Sequence, residues 1–312
     1  VDAGFNVQWK PGGTPVYEAD VSLRDGVVYS TRAERRFENL RVDASMNFAG
    51  SVVIRRAETN VAGGEVEASG SLMLVDGSVR NPDLKVSLSG VQPTADLAEN
   101  LDPELRDMFH MAGMVKPRID GDVNVTPEGI SCEATLRADA VEPQMLDYRL
   151  SDFSTVIHWE STQPVVSFSE LSARRGDGQL EGSASVHLGD TLALDANMFG
   201  RALPIDGDLL DLLPDDTRYR VAGWNPQGSF DVELRCRRWP VPEKFTMEAV
   251  RGIGADISLR NISLSHWELP DLLSGLYGHI SLGEGVVKLT NVSGDCLGTG
   301  FRLGGVIPLV GD

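Results

Sequence analysis

The chain has 312 residues, with 28 basic against 46 acidic side chains and a formal net charge of −18. That balance argues against a phosphate-binding surface for nucleic acid, which depends on basic residues displacing counterions, and it disfavours adsorption to anionic membranes. Glycine is abundant at 33 residues, aromatics make up 6%, and hydrophobic residues 41%, a composition that folds rather than one that stays disordered.

From the N-terminal end, period-2 alternation dominates. Tyr17-Glu-Ala-Asp-Val-Ser-Leu23 places Val21 and Leu23 on one face and Glu18, Asp20 and Ser22 on the other. Turn dipeptides Asp25-Gly26, Asp76-Gly77 and Asn81-Pro82 punctuate the strands that follow, among them Gly63 to Leu74, which carries Leu72. Leu97, Leu101 and Leu105 then recur at helical spacing across Pro103, which predicts a short helix over 96–110. Beyond it lie Ile119-Asp-Gly-Asp-Val123, Val165-Val-Ser-Phe-Ser-Glu-Leu171 and Leu180-Glu-Gly-Ser-Ala-Ser-Val-His-Leu188, with Leu180, Val186 and Leu188 in phase. Leu192 to Met198, carrying Leu194, continues the pattern. A second leucine helix interrupted by Pro214 is predicted over 208–220. After it come Phe230-Asp-Val-Glu-Leu-Arg-Cys236 and Ala255-Asp-Ile-Ser-Leu259, which put Phe230, Val232, Leu234, Ile257 and Leu259 on one face. Strands with one dry and one wet face belong to antiparallel sheets.

The pattern recurs. Gly63 to Leu74 reads GGEVEASGSLML and Asp177 to Leu188 reads DGQLEGSASVHL, and the two leucine segments align at a spacing of 112. Val286-Val-Lys-Leu-Thr-Asn-Val292 matches Val165 to Leu171. The chain thus divides into a first repeat over 1–128, a second over 129–242 and a truncated third over 243–312. The expected fold is mainly β: an elongated, twisted antiparallel sheet of repeats about 112 residues long, with a few short helices. So large an apolar face must close as a barrel, fold over as a sandwich, or remain an open trough filled by something else, and acyl chains would fit.

Chemistry is sparse. Asp215-Asp216, Glu133 with Asp139, and Asp120 with Asp122 are acidic pairs in turns or on polar strand phases, where solvated carboxylates are expected rather than catalysis or calcium binding. His110, His158, His187, His266 and His279 have no ligand-spaced partner, and His158 and His187 fall on polar phases, which predicts solvated surface. Cys132, Cys236 and Cys296 form no CxxC, and Cys236 lies on an apolar phase. No GxSxG or phosphate loop occurs. No enzyme activity, cofactor, metal or nucleic-acid partner is expected.

The strings Phe37-Glu-Asn-Leu40, Val165 to Leu171, Gly178-Gln-Leu-Glu-Gly182, Val286 to Val292 and Leu303-Gly-Gly305 resemble the AsmA-like family of bacterial envelope proteins. So does Leu213-Pro-Asp-Asp216 leading to Gly223 and Pro226. The resemblance spans essentially the whole chain through degenerate motifs, and the family's membrane anchor and end segments have no counterpart in it. It implies a periplasmic, envelope-associated segment that binds or guides phospholipid or other acyl-chain lipid in outer-membrane lipid homeostasis. The parent protein would be anchored in the membrane outside this segment. The chain starts at Val1 rather than Met, and is read as a piece of a longer protein. The candidate groove residues are Val21, Leu23, Leu72, Leu180, Val186, Leu188, Leu194, Phe230, Val232, Leu234, Ile257 and Leu259. The competing expectation is a structural or adhesive β-repeat protein whose apolar phase is a self-buried core and whose acidic surface binds a protein or envelope glycan.

Overall fold

The structure, a computed structural model, describes residues 2–8, 16–30, 35–47, 49–76, 78–93, 106, 112–143, 148–189, 191–211, 215–241, 252–267, 272–283 and 285–308. Among these, eighteen strands and two short helices follow one another in chain order. The first eight strands are β1 (Asp2–Gln8), β2 (Val16–Ser30), β3 (Arg35–Asn47), β4 (Ser51–Val61), β5 (Gly64–Val75), β6 (Ser78–Val91), β7 (Met114–Val115) and β8 (Arg118–Thr126). Next come β9 (Gly129–Val141), β10 (Leu150–Glu160), β11 (Val165–Arg175), β12 (Gly178–His187) and β13 (Ala193–Pro204). Helices α1 (Gly207–Asp211) and α2 (Asp215–Ala222) precede β14 (Gln227–Pro240), β15 (Ile253–Leu264), β16 (Leu273–Gly283), β17 (Val286–Cys296) and β18 (Thr299–Pro308). The mainly-β, antiparallel class expected from the alternation is what the structure has, and it is not closed into a barrel. The helix expected over 96–110 lies outside the described residues apart from Arg106.

Two compact units divide the chain. Unit 1 comprises Val1–Asp102, Pro117–Leu136 and Ile157–Pro164; unit 2 comprises Pro103–Lys116, Arg137–Val156 and Val165–Asp312. The division cuts through β9 and β10 instead of following the 112-residue period. Within unit 1, β1 through β6 pair with their chain neighbours and β6 pairs with β8. Within unit 2, β11 through β18 pair in the same way. Strands β5, β12 and β18 occupy equivalent places. Each is the second strand of a hairpin whose strands meet at Val61↔Gly64, Arg175↔Gly178 or Cys296↔Thr299.

One device recurs in these strands. The pairing register shifts between Leu23 and Gly26, Phe168 and Leu171, Gly200 and Leu203, Leu259 and Ile262, and Leu289 and Val292. Each gap holds a residue with positive φ: Asp25 (55°), Glu170 (52°), Ala202 (51°), Asn261 (51°) or Asn291 (52°). Asn39, inside Phe37-Glu-Asn-Leu40, has φ 56°. These are β-bulges: the extra residue sits in the left-handed region, which asparagine and aspartate tolerate best among side-chain-bearing residues. The extra residue lets apolar side chains at i and i+3, such as Phe168 and Leu171, share one face. The Ser-x and Thr-x pairs inside the matched strings are therefore bulge sites.

Candidate functional site

Paired residues in an antiparallel ladder point to the same side, so the registers trace the apolar face row by row. In unit 1, one row runs Val21–Ala44–Ile54–Gly70–Leu84–Val125 and the next runs Leu23–Val42–Ala57–Ala68–Val86–Val123, each across six strands. A third runs Ala19–Met46–Val52–Leu72. At about 4.8 Å per strand, the two long rows extend about 24 Å. Of the side chains from Ala19 to Leu72, Leu84 to Val125 in these rows, Ala44 is the one that is buried; Met46 is exposed and the rest are partly exposed. The strands of this face contact their sheet neighbours in the ladder, and apart from Ala44 the side chains of the rows are left at least partly exposed.

Small residues interrupt the rows, and at two of them the backbone requires glycine. At Gly70 φ is +134° and an added Cβ would lie 2.1 Å from the Asp83 carbonyl oxygen. Gly182 likewise would bring a Cβ to 2.3 Å from the Asn197 oxygen. Both glycines serve close approach of neighbouring strands.

In unit 2 the rows are Val166–Val186–Leu194–Trp239, Ala173–Leu180–Gly200–Val232–Ile257–Ile280–Leu289, and Leu203–Phe230–Leu259–Gly278. Here the face carries a packed core. Leu203, Phe230, Val232 and Ala255 form a buried cluster, and Ile205, Leu209, Leu234, Ile257 and Leu282 pack against it. Phe230 is 8% exposed and Val232 is 7% exposed. Leu209 comes from α1, so the helix covers this part of the sheet.

Charged groups hold α1 in place. Asp206 is its N-cap, accepting from the Leu209 amide at 2.9 Å, the arrangement that satisfies an otherwise orphaned helix donor. Arg175 at the end of β11 donates to Asp206 at 2.9 Å, pairs with Asp208, and donates to the Arg149 carbonyl at 3.0 Å. Its guanidinium lies 4.8 Å from the Tyr148 ring centroid. The Tyr148 hydroxyl is buried without a hydrogen-bond partner among the described residues, and burial pushes its pKa up.

Of the twelve groove candidates, Val21, Leu23 and Leu72 lie in the unit 1 rows, partly exposed. Leu180, Val186, Leu188, Leu194, Leu234, Ile257 and Leu259 are partly exposed in unit 2, and Phe230 and Val232 are inside the packed cluster. The candidates omit Val42, Ile54, Leu84, Val86, Val123 and Val125, which complete the unit 1 rows. Alternation in Leu84-Lys-Val-Ser-Leu88 was the signal that could have found the β6 members.

The polar groups serve the sheet. Asp122 accepts from Ser87 at 2.6 Å and pairs with Lys85 at 2.9 Å, and Asp120 accepts from the Gly90 amide at 2.7 Å. The Ser87 hydrogen bond, followed by Lys85, holds the Asp122 carboxyl below its ordinary range. Arg55 bridges Asp43 and Asp20 across three strands, at 2.7 and 2.8 Å. No group of three metal-ligating side chains occurs among the described residues. His158 is exposed, as its polar phase predicts, with its Nδ1 3.9 Å from Glu133. His187 departs from the solvated surface expected of it. Its side chain is 15% exposed and its Nε2 lies 2.6 Å from Asp195 Oδ2. The β12–β13 register, which pairs His187 with Ala193 and Ser185 with Asp195, brings them together diagonally. Asp195 also accepts from the Arg238 amide, and that bond, ahead of His187, lowers its pKa. Cys132, Cys236 and Cys296 are free, partly buried thiols, and desolvation pushes Cys132 and Cys236 up.

No family model, curated protein or solved structure matches this chain.

Proposed function

We propose that the chain is a periplasmic segment of an AsmA-like envelope protein whose apolar sheet face binds phospholipid acyl chains and guides them in outer-membrane lipid homeostasis. The observation that carries this reading is the pair of apolar rows across six strands of unit 1, whose side chains other than Ala44 are partly exposed. Such a face is costly in water, and each methylene it removes from water contributes about 0.8 kcal/mol. Binding is then partition: acyl chains lie along the rows, headgroups stay at the wet rim, and no bond is made or broken. The acidic polar face keeps the protein soluble through self-repulsion.

The packed cluster under α1 favours a second reading for unit 2, a self-buried core that supports the sheet or binds a protein or glycan through its outer surface. Native mass spectrometry with lipid extraction separates the two. Heterogeneous adducts of phospholipid mass on the wild-type protein, lost in a folded Leu84→Asp, Val86→Asp variant, support the lipid-binding reading. A clean apo mass from the folded wild-type protein supports the structural one.

A further inference from the structure

The registers of unit 2 bring one end of its sheet into focus. Gln227 at the start of β14 pairs with Ser263 near the end of β15, and Leu264 pairs with Leu273 at the start of β16. Leu273 in turn pairs with Cys296 at the end of β17, beside the turn into β18. The segments at this end carry large exposed apolar side chains: Tyr219 at 74%, Trp224 at 36%, Trp267 at 85%, Leu272 at 46% and Leu297 at 63%. They are tied together. Trp224 stacks on His266 with ring centroids 4.7 Å apart, and the His266 and Trp267 rings are 5.5 Å apart. The Ser265 amide donates to the Trp224 carbonyl at 2.8 Å. Leu297 adds an independent sign: it occupies a turn position with φ 55°, where glycine or asparagine would be less strained, and it projects an exposed leucine there.

We infer that this end of unit 2 docks shallowly on the interfacial region of a zwitterionic bilayer, with Trp224, Trp267, Tyr219, Leu272 and Leu297 as the inserting side chains. Tryptophan and tyrosine favour the headgroup level, where an apolar ring body and a polar edge are both accommodated. Arg218 pairs with Asp211, and Asp295 accepts from the Gly298 amide at 2.8 Å. No basic cluster is presented there among the described residues, and the chain carries a net charge of −18, so docking rests on apolar insertion and does not require anionic lipid. The surface differs from the proposed acyl-binding rows, and its test is independent of them.

The experiment is flotation of the 312-residue chain with phosphatidylcholine vesicles, together with quenching of its tryptophan fluorescence by brominated phosphatidylcholine. Wild-type protein is expected to float and to be quenched. Trp267→Ser with Leu297→Ser should lower the partition coefficient at least about tenfold while circular dichroism and lipid mass adducts stay unchanged. Leu84→Asp should float like wild type even if it loses those adducts. Failure of the wild-type protein to float, equal flotation of the double variant, or binding to an envelope glycan in place of vesicles would overturn the inference.

Discussion

Unit 1 and unit 2 are made from the same alternating strands, joined by the same hairpins and bulges, yet their apolar faces are finished differently. In the unit 1 rows Ala44 is buried and its neighbours remain at least partly exposed, whereas in unit 2 Leu203, Phe230, Val232 and Ala255 form a buried cluster with Ile205 and Leu209 among the residues packed against it. The strands do not make that difference. It comes from the connection after β13, where Asp206 caps α1 and Arg175 holds both its acids. Strand patterning decides which face is apolar, and the connections decide whether that face is covered.

The largest effect that tests this contrast is expected from Val232→Asp. A charge placed in the packed cluster has no partner there, and the cost should be ~3 kcal/mol or more, read as a loss of thermal stability and of hydrogen-exchange protection across β13–β15. If Val232→Asp is tolerated, the cluster is not a core and the contrast fails. Arg175→Ala comes next, at about 1–2 kcal/mol for a partly screened ion pair. It should raise amide exchange at 207–211 and expose the apolar cluster to a hydrophobic dye, leaving unit 1 unaffected. Leu84→Asp should cost at most about 1 kcal/mol, because its side chain already meets solvent, and its signature is lost lipid rather than lost fold.

Acid should affect both units, and least of all. Asp122 in unit 1 and Asp195 in unit 2 have lowered pKa values, so each contributes stability that is complete above the ordinary carboxylate pKa of about 3.9. That contribution is lost as the pH falls through their lower folded-state values. Acid titration followed by circular dichroism should therefore show little change down to about pH 4. Asp122→Asn and Asp195→Asn should each flatten the loss below it.

The strand phases were legible in the sequence because burial on one side writes itself as alternation; Phe230 to Cys236 and Ala255 to Leu259 fall in strands β14 and β15 as read. The cover over those phases was not legible. The side chain of Val232 looks the same from the chain whether Leu209 or water lies above it. The Arg175–Asp206 contact joins residues 31 apart and His187–Asp195 depends on the β12–β13 register, neither of which a pattern of residue types specifies. The bulges were half visible. Phe168-Ser-Glu-Leu171 shows a break in alternation, but glutamate is not a residue that marks the left-handed region, as asparagine and aspartate do at Asp25, Asn261 and Asn291.

Those left-handed residues also bear on how such a chain can lengthen. Each of Asp25, Glu170, Asn261 and Asn291 sits at a fixed step along its own strand, so a strand sliding by two residues would meet its neighbour with the kink out of place. Each hairpin that holds such a bulge thus carries its own alignment key. Tandem duplication of one hairpin inserts a unit that already knows its offset, and the strands on either side need no compensating change. Growth by copying, one hairpin at a time, is a route this architecture leaves open to genetic drift in length.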